Sequence, residues 1–374
     1  MENAEVEYDL IVAGAGPAGC ACAITAARAG ARVLLLEKDT FPRHKVCGEF
    51  VSPESLELLQ SLLRPTSAEL AAFSSLSSRL TIGAARIFLD GKSITIRVSP
   101  PARSVPRFDL DAALLNSARS HGASVREQTT VCEVQNRGRY FHVVTAAQTF
   151  TGKTVVNASG RWSHLSQPKT DSGARWIGFK AHFREAGPPP SVDLYFFPGG
   201  YCGVTPVNDG PDAAVNACAM VRADVCRSLP EVFAQHPELW RRSRDWEPLF
   251  PAISTSGLIF REPETRDREL LLAGDAAGFI DPFAGDGISL ALHSGTLAGE
   301  CMCAFLERKW SLEQALIQYG DRYRGRFSRA FKNAAHLRRL LETPAWIRSR
   351  LLGLAGTSLV AGLIVRGTRA KART

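Results

Sequence analysis

Short apolar runs and a helical stretch alternate along the first forty residues. Tyr8 to Ala13 and Arg32 to Glu37 are apolar over lengths that suit buried strands. Between them, Cys20 to Ala29 is rich in alanine and predicts a helix, which Gly30 ends. This order of strand, helix and strand predicts a βαβ unit with two parallel strands.

The turn between the first strand and the helix carries three glycines. Gly14 permits a tight turn, Gly16 lets the backbone approach a pyrophosphate, and Gly19 lets the helix pack close to the strand. The helix N-terminus offers free N–H groups to the phosphates. Glu37 follows Gly14 by 23 residues, about the spacing of an acid that accepts hydrogen bonds from the adenosine ribose. The segment predicts a dinucleotide site, either for NAD or for FAD, and its contacts are Gly14, Gly16, Pro17, Ala18, Gly19, Glu37 and Lys38.

A second strand, glycine-rich loop and helix follow some 260 residues after the first. Glu269 to Ala273 predicts the strand, and Ser289 to Arg308 predicts the helix. Asp275, directly after the strand, can accept from a chain of hydroxyls. The free N–H groups of Gly285 to Ile288 can face an electron-rich ring edge.

These two motifs together resemble those of two-domain flavoproteins. That superfamily includes aromatic monooxygenases of the para-hydroxybenzoate hydroxylase type and geranylgeranyl reductases, and the resemblance spans roughly residues 8–308. It implies FAD as the cofactor, with Asp275 at the ribitol and the following helix start at the flavin ring. It further implies an Arg near the flavin at the start of a helix, and backbone at the adenine after a strand from Ser124 to Val131. The implied contacts are Arg107, Val131, Gly274, Asp275, Gly285, Gly287 and Ile288.

The segment from Arg43 to Glu49 separates the branches of this superfamily. Its Lys45-x-Cys47-Gly48 pattern resembles the geranylgeranyl reductases, in which a Cys lies close to the flavin. The resemblance implies that Arg43, Cys47 and Gly48 line the cofactor site. Cys47 then either shapes the pocket or gives a proton to the substrate. The alternative is a Cys that only packs in a tight turn.

Alternating apolar and polar positions in the middle of the chain predict an antiparallel sheet. Its strands are Gly178 to Phe183, Ser191 to Phe196, Gly200 to Val207 and Ala213 to Val221. Such a sheet suits a substrate domain that covers the flavin.

Part of this sheet is similar to the Y-x-W-x-F-P-x-K stretch that lines the substrate pocket of the reductases. Gly203, Thr205 and Asn208 stand where that pattern has Trp, Phe and Lys. These differences would open space for a bulkier or flatter substrate and argue against a geranylgeranyl chain. The alternative is an ordinary strand that ends at a Pro. The predicted pocket residues are Tyr201, Gly203, Thr205, Pro206 and Pro282.

The whole sequence predicts an α/β plus β fold. A Rossmann-like FAD-binding domain (1–75, 101–165 and 265–310) is interleaved with an antiparallel-sheet substrate domain (76–100 and 166–264). A basic helical region (311–374) follows. A chain of 374 residues is long enough to bury a large core without disulfide or metal staples.

Basic residues are concentrated near the C-terminus. Residues 321–374 hold 13 Lys/Arg and two acids, Asp321 and Glu342, a surplus of 11 positive charges. This surplus exceeds the net charge of +8 for the whole chain, so the rest of the chain is slightly acidic. Within this region, residues 351–365 are uncharged and apolar but too short to cross a bilayer as a helix. They predict either a helix that packs on the protein or peripheral contact with a membrane. No motif that reads nucleic acid accompanies the charge, so no nucleic-acid partner is expected.

The nine Cys residues form no C-x2-C pair and the His residues are scattered, so no metal site is expected. The N-terminus lacks a signal-peptide pattern, which predicts a cytoplasmic location and reduced thiols. The apolar, basic C-terminal region leaves membrane association as an alternative. No residue pattern predicts an oligomeric state.

The sequence therefore predicts an FAD-dependent oxidoreductase that acts on a small lipophilic or aromatic substrate. Since it holds a single complete G-x-G-x-x-G, NAD(P)H is expected to bind transiently as electron donor. The K-x-C-G pattern favours reduction of a C=C bond in a prenyl- or polyketide-like compound.

Three alternatives remain. The small residues at 203 and 205 favour a monooxygenase that hydroxylates or epoxidises an aromatic or polyketide-like substrate through a C4a-hydroperoxyflavin. The tail alone suggests a non-catalytic, redox-responsive flavin-binding protein. Halogenases share the fold, but their W-x-W-x-I-P motif has no counterpart, because no two Trp residues here have that spacing.

Overall fold

The computed structural model describes residues 7–63, 80–161, 165, 175–258, 260 and 262–343. Its helices are α1 (Pro17–Arg28), α2 (Pro53–Leu62), α3 (Arg107–Ser120), α4 (Leu229–Ala234), α5 (Pro237–Arg242), α6 (Gly287–Leu306) and α7 (Leu312–Glu342). Its strands are β1 (Tyr8–Ala13), β2 (Val33–Leu36), β3 (Phe50–Val51), β4 (Thr81–Leu89), β5 (Lys92–Ser104), β6 (Ser124–Arg126), β7 (Val131–Asn136), β8 (Phe141–Thr145), β9 (Thr149–Asn157), β10 (Trp176–Arg184), β11 (Ser191–Phe197), β12 (Gly200–Asn208), β13 (Ala214–Arg222), β14 (Ile253–Leu258), β15 (Arg266–Asp267) and β16 (Leu270–Leu272).

The first sheet has the strand order β15-β16-β9-β1-β2-β6, and the strands from β16 to β6 run parallel. Its central strands β1 and β2 are apolar and mostly buried, as expected for parallel strands that are covered on both faces. Parallel strands end at one edge of a sheet. The turns after β1, β2, β9 and β16 therefore meet there, which confirms the predicted Rossmann-like unit.

Helices α1 and α6 pack with their backbones in close contact on this sheet. A Cβ at Gly295 would lie 2.0 Å from the Ala18 carbonyl oxygen, and one at Gly299 would lie 2.9 Å from the Cys22 carbonyl oxygen. The two glycines of α6 thus let the helices that follow the two glycine-rich loops start side by side. The sites at their N-termini are therefore neighbours.

The second sheet has the order β14-β10-β13-β12-β11-β4-β5-β3. Strands β10 to β13 pair antiparallel as predicted, and β11 pairs parallel with β4. One face is apolar and packs on α4 and α5, through side chains such as Val215, Val204 and Leu229. The other face, which we call the front face, carries Lys180, His182, Asn216 and Cys218 in register. The α/β plus β fold class is confirmed, whereas the exact domain boundaries stay a prediction.

Helix α7 closes the described chain. It begins at a capping box in which Ser311 and Gln314 exchange hydrogen bonds. The Tyr319 hydroxyl donates to the Leu272 carbonyl at 2.8 Å, which fixes α7 on the end of β16. No helix among the described residues is long and apolar enough to cross a membrane. The apolar segment 351–365 lies outside the described residues.

One predicted strand is divided in the structure. Ser124 to Val131 does not run as a single strand, because Gln128 adopts a left-handed conformation with φ +52°. This turn lets the Gln128 and Thr129 amides donate to the Asp39 and Glu37 carbonyls. Val131 consequently begins β7, which pairs with β8 rather than with β2.

His293, in the second turn of α6, gives the fold a specific dependence on pH. Burial and then the charge of Arg326 lower the pKa of His293 to about 4. Since that pKa lies below the ordinary 6.5, neutral His293 stabilises the fold above pH 6.5, and this contribution is lost as the pH falls towards 4. The free energy of unfolding should fall when the pH is lowered from about 7 to about 5. We expect this fall to be about 1–2 kcal/mol smaller in His293→Gln than in the wild type. Urea titrations at the two pH values measure this, and equal losses in both proteins would contradict it.

Candidate functional site

The three glycines of the turn after β1 differ in how much space surrounds them. At Gly14, where φ is +100°, a Cβ would lie 2.5 Å from the Ala158 carbonyl oxygen, and at Gly19 it would lie 1.8 Å from the Gly14 carbonyl oxygen. The fold itself therefore requires these two glycines. A Cβ at Gly16 would meet no atom within 4 Å. That open space at the N-terminus of α1, beside Pro17 and Ala18, is where a pyrophosphate would approach the backbone.

Glu37 ends β2 beside this turn and is buried. One of its carboxylate oxygens accepts from the Ala15 amide at 2.8 Å, and the other accepts from the Asp39 amide at 3.0 Å. The oxygen that accepts from Asp39 keeps a further lone pair for a ribose hydroxyl. Lys38 is exposed next to it, and the chain that leads into Val131 runs alongside through the Thr129 amide. The adenosine-binding residues that the sequence predicts thus lie at one edge of the sheet.

The second glycine-rich loop starts where β16 ends. Gly274 has a φ of +61°, and its Cβ would lie 2.8 Å from that of Ala18, so the two loops touch. Asp275 follows in a cleft, 4.0 Å from the guanidinium of Arg161. Desolvation in the cleft raises the pKa of Asp275, and Arg161 and then Arg107 oppose the increase. The carboxylate faces two cations, in a position to accept from hydroxyls.

The same loop turns before α6. Gly285 is left-handed with φ +73°, and its Cβ would approach the Phe50 ring to 3.0 Å. Gly287 begins α6 with no atom within 4 Å of where its Cβ would be, and Ile288 follows, buried. The N–H groups of this helix start are therefore approachable. Pro282 is exposed at the beginning of the turn.

Two arginines converge on one buried carboxylate between the loops. Asp111 of α3 is fully buried and accepts from Arg107 at 2.6 and 2.7 Å and from Arg43 at 3.0 Å. Arg43 also reaches Glu37 at 3.4 Å. Burial would lower the pKa of Arg107, but Asp111 and then the Cys47 thiol hold it above its ordinary value. This network fixes Arg107 beside Cys47 and ties Arg43 to the adenosine end.

Cys47 lies in a turn that is hydrogen-bonded to the second sheet. Its carbonyl accepts from the Asn216 amide group at 2.9 Å, and its Sγ accepts from the Glu49 amide at 3.3 Å. Next to it, Gly48 would tolerate a Cβ, since no atom lies within 4 Å. Arg161 lies 4.0 Å from Asp275. Burial lowers the pKa of Arg161, while Asp275, Cys218 and Cys47 oppose the decrease.

Glu49 is fully buried and left-handed, with φ +58°. A non-glycine residue in this region costs about 1–3 kcal/mol and persists where the surroundings impose it. Here the carboxylate pairs with the buried Lys180, accepts from His182 at 2.8 Å, and accepts from the Arg107 amide at 2.9 Å. Burial raises the pKa of Glu49, but His182 and Lys180 hold it below its ordinary value, so the carboxylate is ionised.

The predicted pocket residues do not all share a face of the second sheet. Gly203 and Thr205 pair with Cys218 and Asn216, which places them on the front face. Tyr201 also lies there, with ring centroids 5.4 Å from Phe196 and 5.9 Å from Phe283. Pro206 pairs with Val215, which belongs to the opposite, apolar face. Because side chains alternate along a strand, Pro206 points away from Tyr201.

An apolar cluster surrounds Tyr201 between the front face and the second glycine-rich loop. Its members come from β4, from β11 to β14 and from the loop at Phe283, and Leu337 and Leu341 of α7 pack against it. Beside them, two guanidinium groups stack on rings, Arg161 on Phe279 at 4.2 Å and Arg338 on Phe260 at 3.9 Å. Helix α7 therefore contributes to the apolar surroundings of Tyr201.

Four charged residues of the site are absent from the sequence prediction, namely Glu49, Asp111, Arg161 and Lys180. Arg161 directly follows the turn after β9, where parallel strands place functional side chains, and this position could have revealed it. Lys180 is a charged residue between the apolar Phe179 and Ala181 of its strand. Glu49 and Asp111 carry no comparable signal, because their partners lie far away in sequence.

Comparison with known proteins agrees with this geometry. Residues 7–182 match a family model described as an FAD binding domain. The chain is 28% identical over 323 residues to a menaquinone reductase of Mycolicibacterium smegmatis, covering 79% of this chain and 76% of that protein. It is 27% identical over 350 residues to digeranylgeranylglycerophospholipid reductase 2 of Methanopyrus kandleri, covering 88% and 85%. The chain is therefore similar to reductases over most of its length, and its N-terminal half matches an FAD binding domain.

The superfamily contains more than reductases. This flavoprotein is also 26% identical over 322 residues to a 1H-pyrrole-2-carbonyl-(peptidyl-carrier protein) brominase of Pseudoalteromonas luteoviolacea, covering 79% of this chain and 77% of that protein. In fold it is similar to a geranylgeranyl bacteriochlorophyll reductase-like protein from Thermoplasma acidophilum, with a TM-score of 0.76 at 20% identity and coverage of 98% and 94%. An FAD-dependent oxidoreductase is therefore established, and the argument from Trp spacing against a halogenase stays a prediction.

The residues present fit FAD. The open space at Gly16 and at Gly287 leaves both helix N-termini approachable, and the Glu37 and Asp275 carboxylates stand at the two ends of the site. Individual contacts of the predicted cofactor residues with FAD stay predictions.

Proposed function

We propose that this flavoprotein reduces a C=C bond in a lipophilic, prenyl- or polyketide-like compound. Reduced FAD supplies the hydride for one carbon when it is bound. The Cys47 thiol gives its proton to the other carbon, and the resulting thiolate regains a proton from water. The bond gains two hydrogens in total, and two electrons leave the cofactor.

The position of Cys47 carries this proposal. The thiol lies beside Arg107 and near Arg161. Its turn contacts the second glycine-rich loop, since a Cβ at Gly285 would lie 3.0 Å from the Phe50 ring. A proton donor for a substrate on the flavin has to lie at that loop. The two guanidinium groups would stabilise the thiolate that forms when the proton leaves. The menaquinone and digeranylgeranylglycerophospholipid reductases among the relatives support the same chemistry.

The surroundings of Tyr201 support a lipophilic substrate. Tyr201, Phe196, Phe283 and Met220 form an apolar surface between the front face and the flavin loop. Burial, followed by the charge of Asp281, raises the pKa of Tyr201 well above its ordinary value, so its hydroxyl remains a donor. An apolar chain with few polar atoms suits this surface better than a charged metabolite.

NAD(P)H is proposed as the electron donor. Since a single complete dinucleotide fingerprint is present, at Gly14 to Gly19, a nicotinamide cofactor would bind at the flavin face, deliver its hydride and leave. Loss of the 450 nm flavin absorbance on adding NADH or NADPH anaerobically tests the donor, and a flavin that neither nucleotide reduces would rule it out.

Monooxygenation is the second candidate, and Gly203 favours it. A Cβ at this front-face position would make ordinary contact with the Leu194 side chain at 3.4 Å. The missing side chain leaves a flat surface on which an aromatic ring could lie.

Product mass distinguishes the two reactions. The holoenzyme is incubated with NADPH and either a menaquinone or a geranylgeranyl ether lipid, once without oxygen and once under ¹⁸O₂. The reductase proposal expects a product heavier by two hydrogens without oxygen. Product that forms only with oxygen and carries one ¹⁸O atom would overturn it in favour of the monooxygenase.

A further inference from the structure

We propose that Glu49 is a positioning residue whose negative charge offsets the cations around Cys47 and keeps the thiol in its proton-donating form. The role serves the proposed reductase reaction, and the contacts that carry it stand independently of the substrate. Glu49 is two residues from Cys47, and its amide donates to the Cys47 Sγ at 3.3 Å. The carboxylate is fully buried and pairs with Lys180.

The charges around Cys47 are closely balanced. Arg107 pairs with Asp111, and Arg161 lies opposite Asp275. Arg43 shares Asp111 with Arg107 and also reaches Glu37. A further cation, Lys180, is fully buried on the front face and pairs with Glu49. Among the described residues, Glu49 is the carboxylate that pairs with Lys180. Removing that charge would leave the charge of Lys180 uncompensated near the Cys47 turn, and an excess of positive charge favours the thiolate.

His182 makes the arrangement more than a single ion pair. Its Nε2 donates to the second carboxylate oxygen of Glu49 at 2.8 Å. On the other side, His182 lines a pocket of about 180 Å³ with His44, Phe108 and Asn208. Burial and then Lys180 lower the pKa of His44, which keeps that ring neutral next to the cluster. Lys180 and His182 of β10 and Glu49 of the turn thus form a buried polar cluster next to Cys47.

The same contacts would also arise if Glu49 only shaped the turn, so the test depends on the direction of two effects. Glu49→Gln keeps the size and hydrogen-bonding capacity of the side chain but removes the negative charge. Lys180→Met removes the positive charge and leaves Glu49 in excess. The charge role expects opposite effects on the reactivity of Cys47. A purely structural role expects both variants to loosen the turn and expose the thiol.

The measurement is the rate of Cys47 alkylation by iodoacetamide in the FAD-loaded protein, followed by peptide mass spectrometry. We expect Glu49→Gln to label about fivefold faster than wild type and Lys180→Met to label several-fold slower, because the thiolate is the nucleophile. The double variant should return towards the wild-type rate. Glu57→Gln, on the exposed side of α2, is the matched control. Cys20 and Cys22 are fully buried and report on folding, since they label only if the chain opens.

The labelling rates distinguish a charge role of Glu49 from a purely structural one. Faster labelling in both single variants, or an unchanged rate in Glu49→Gln, overturns the charge role. If Glu49→Gln labels at Cys22 and is therefore unfolded, Lys180→Met decides alone, and any rate that is not slower overturns the role. Labelling as expected without any C=C reduction would defeat the proposed function but not the role of Glu49. C=C reduction with unchanged labelling would defeat only the role of Glu49.

Discussion

Replacing Gly16 with valine is expected to abolish FAD binding while the chain still folds. A Cβ at this position meets no protein atom within 4 Å, and the backbone, with φ −71° and ψ −177°, is one that any residue adopts. The side chain would instead occupy the space through which a pyrophosphate reaches the N-terminus of α1. We expect FAD to bind at least a hundredfold more weakly, a loss of about 2.7 kcal/mol of binding free energy. Titration of apoprotein with FAD, followed by flavin fluorescence, measures it.

Gly19 provides the contrasting variant. Its Cβ would lie 1.8 Å from the Gly14 carbonyl oxygen, so Gly19→Val should fail to fold rather than fold without cofactor. The melting temperature of the Gly16→Val apoprotein should stay within a few degrees of wild-type apoprotein. A folded Gly16→Val protein that carries a full complement of FAD would show that the pyrophosphate lies elsewhere.

The second large effect is expected from Cys47→Ser. A serine hydroxyl is far less acidic than a thiol and gives up its proton poorly, although it fills nearly the same volume. We expect kcat for C=C reduction to fall at least a hundredfold, about 2.7 kcal/mol in activation free energy, with KM within a few fold. Steady-state kinetics on protein of known FAD content provides the measurement.

The exposed Cys132 is the matched control for this variant. Cys132→Ser should leave both the activity and the FAD content as in the wild type. If Cys47→Ser also keeps its activity within a few fold, the thiol only packs the turn. The proton must then come from another group, and the Tyr201 hydroxyl on the front face is one candidate.

The sequence alone predicted much of the cofactor side of the site. Gly14, Gly16 and Gly19 carry local backbone requirements, which a sequence expresses directly as glycine at a fixed spacing. Glu37 and Asp275 follow strands at their carboxyl ends, and parallel strands bring those ends together at one edge. These elements lie where the sequence placed them because each depends on a few neighbouring residues.

The surroundings of Cys47 were decided only by the tertiary structure. Glu49 contacts Lys180 and His182, which are 131 and 133 residues away, and Cys47 contacts Asn216 across 169 residues. The strand that was expected to continue to Val131 also ended early, because Gln128 turns to satisfy the carbonyls of Glu37 and Asp39. Pro206 lies on the far face of its sheet for a similar reason, since the pairing of β12 with β13 sets which residues face the site.

The physical reason is the range of the interactions involved. Turn geometry and helix starts are set by adjacent residues, so the sequence by itself determined the dinucleotide fold and the two FAD motifs. The charge on a buried group such as Glu49 is tolerated only where distant cations meet it. Which cations those are depends on the register of β10 and β13 and on the packing of α3 against the Cys47 turn, and the folded chain alone determines both.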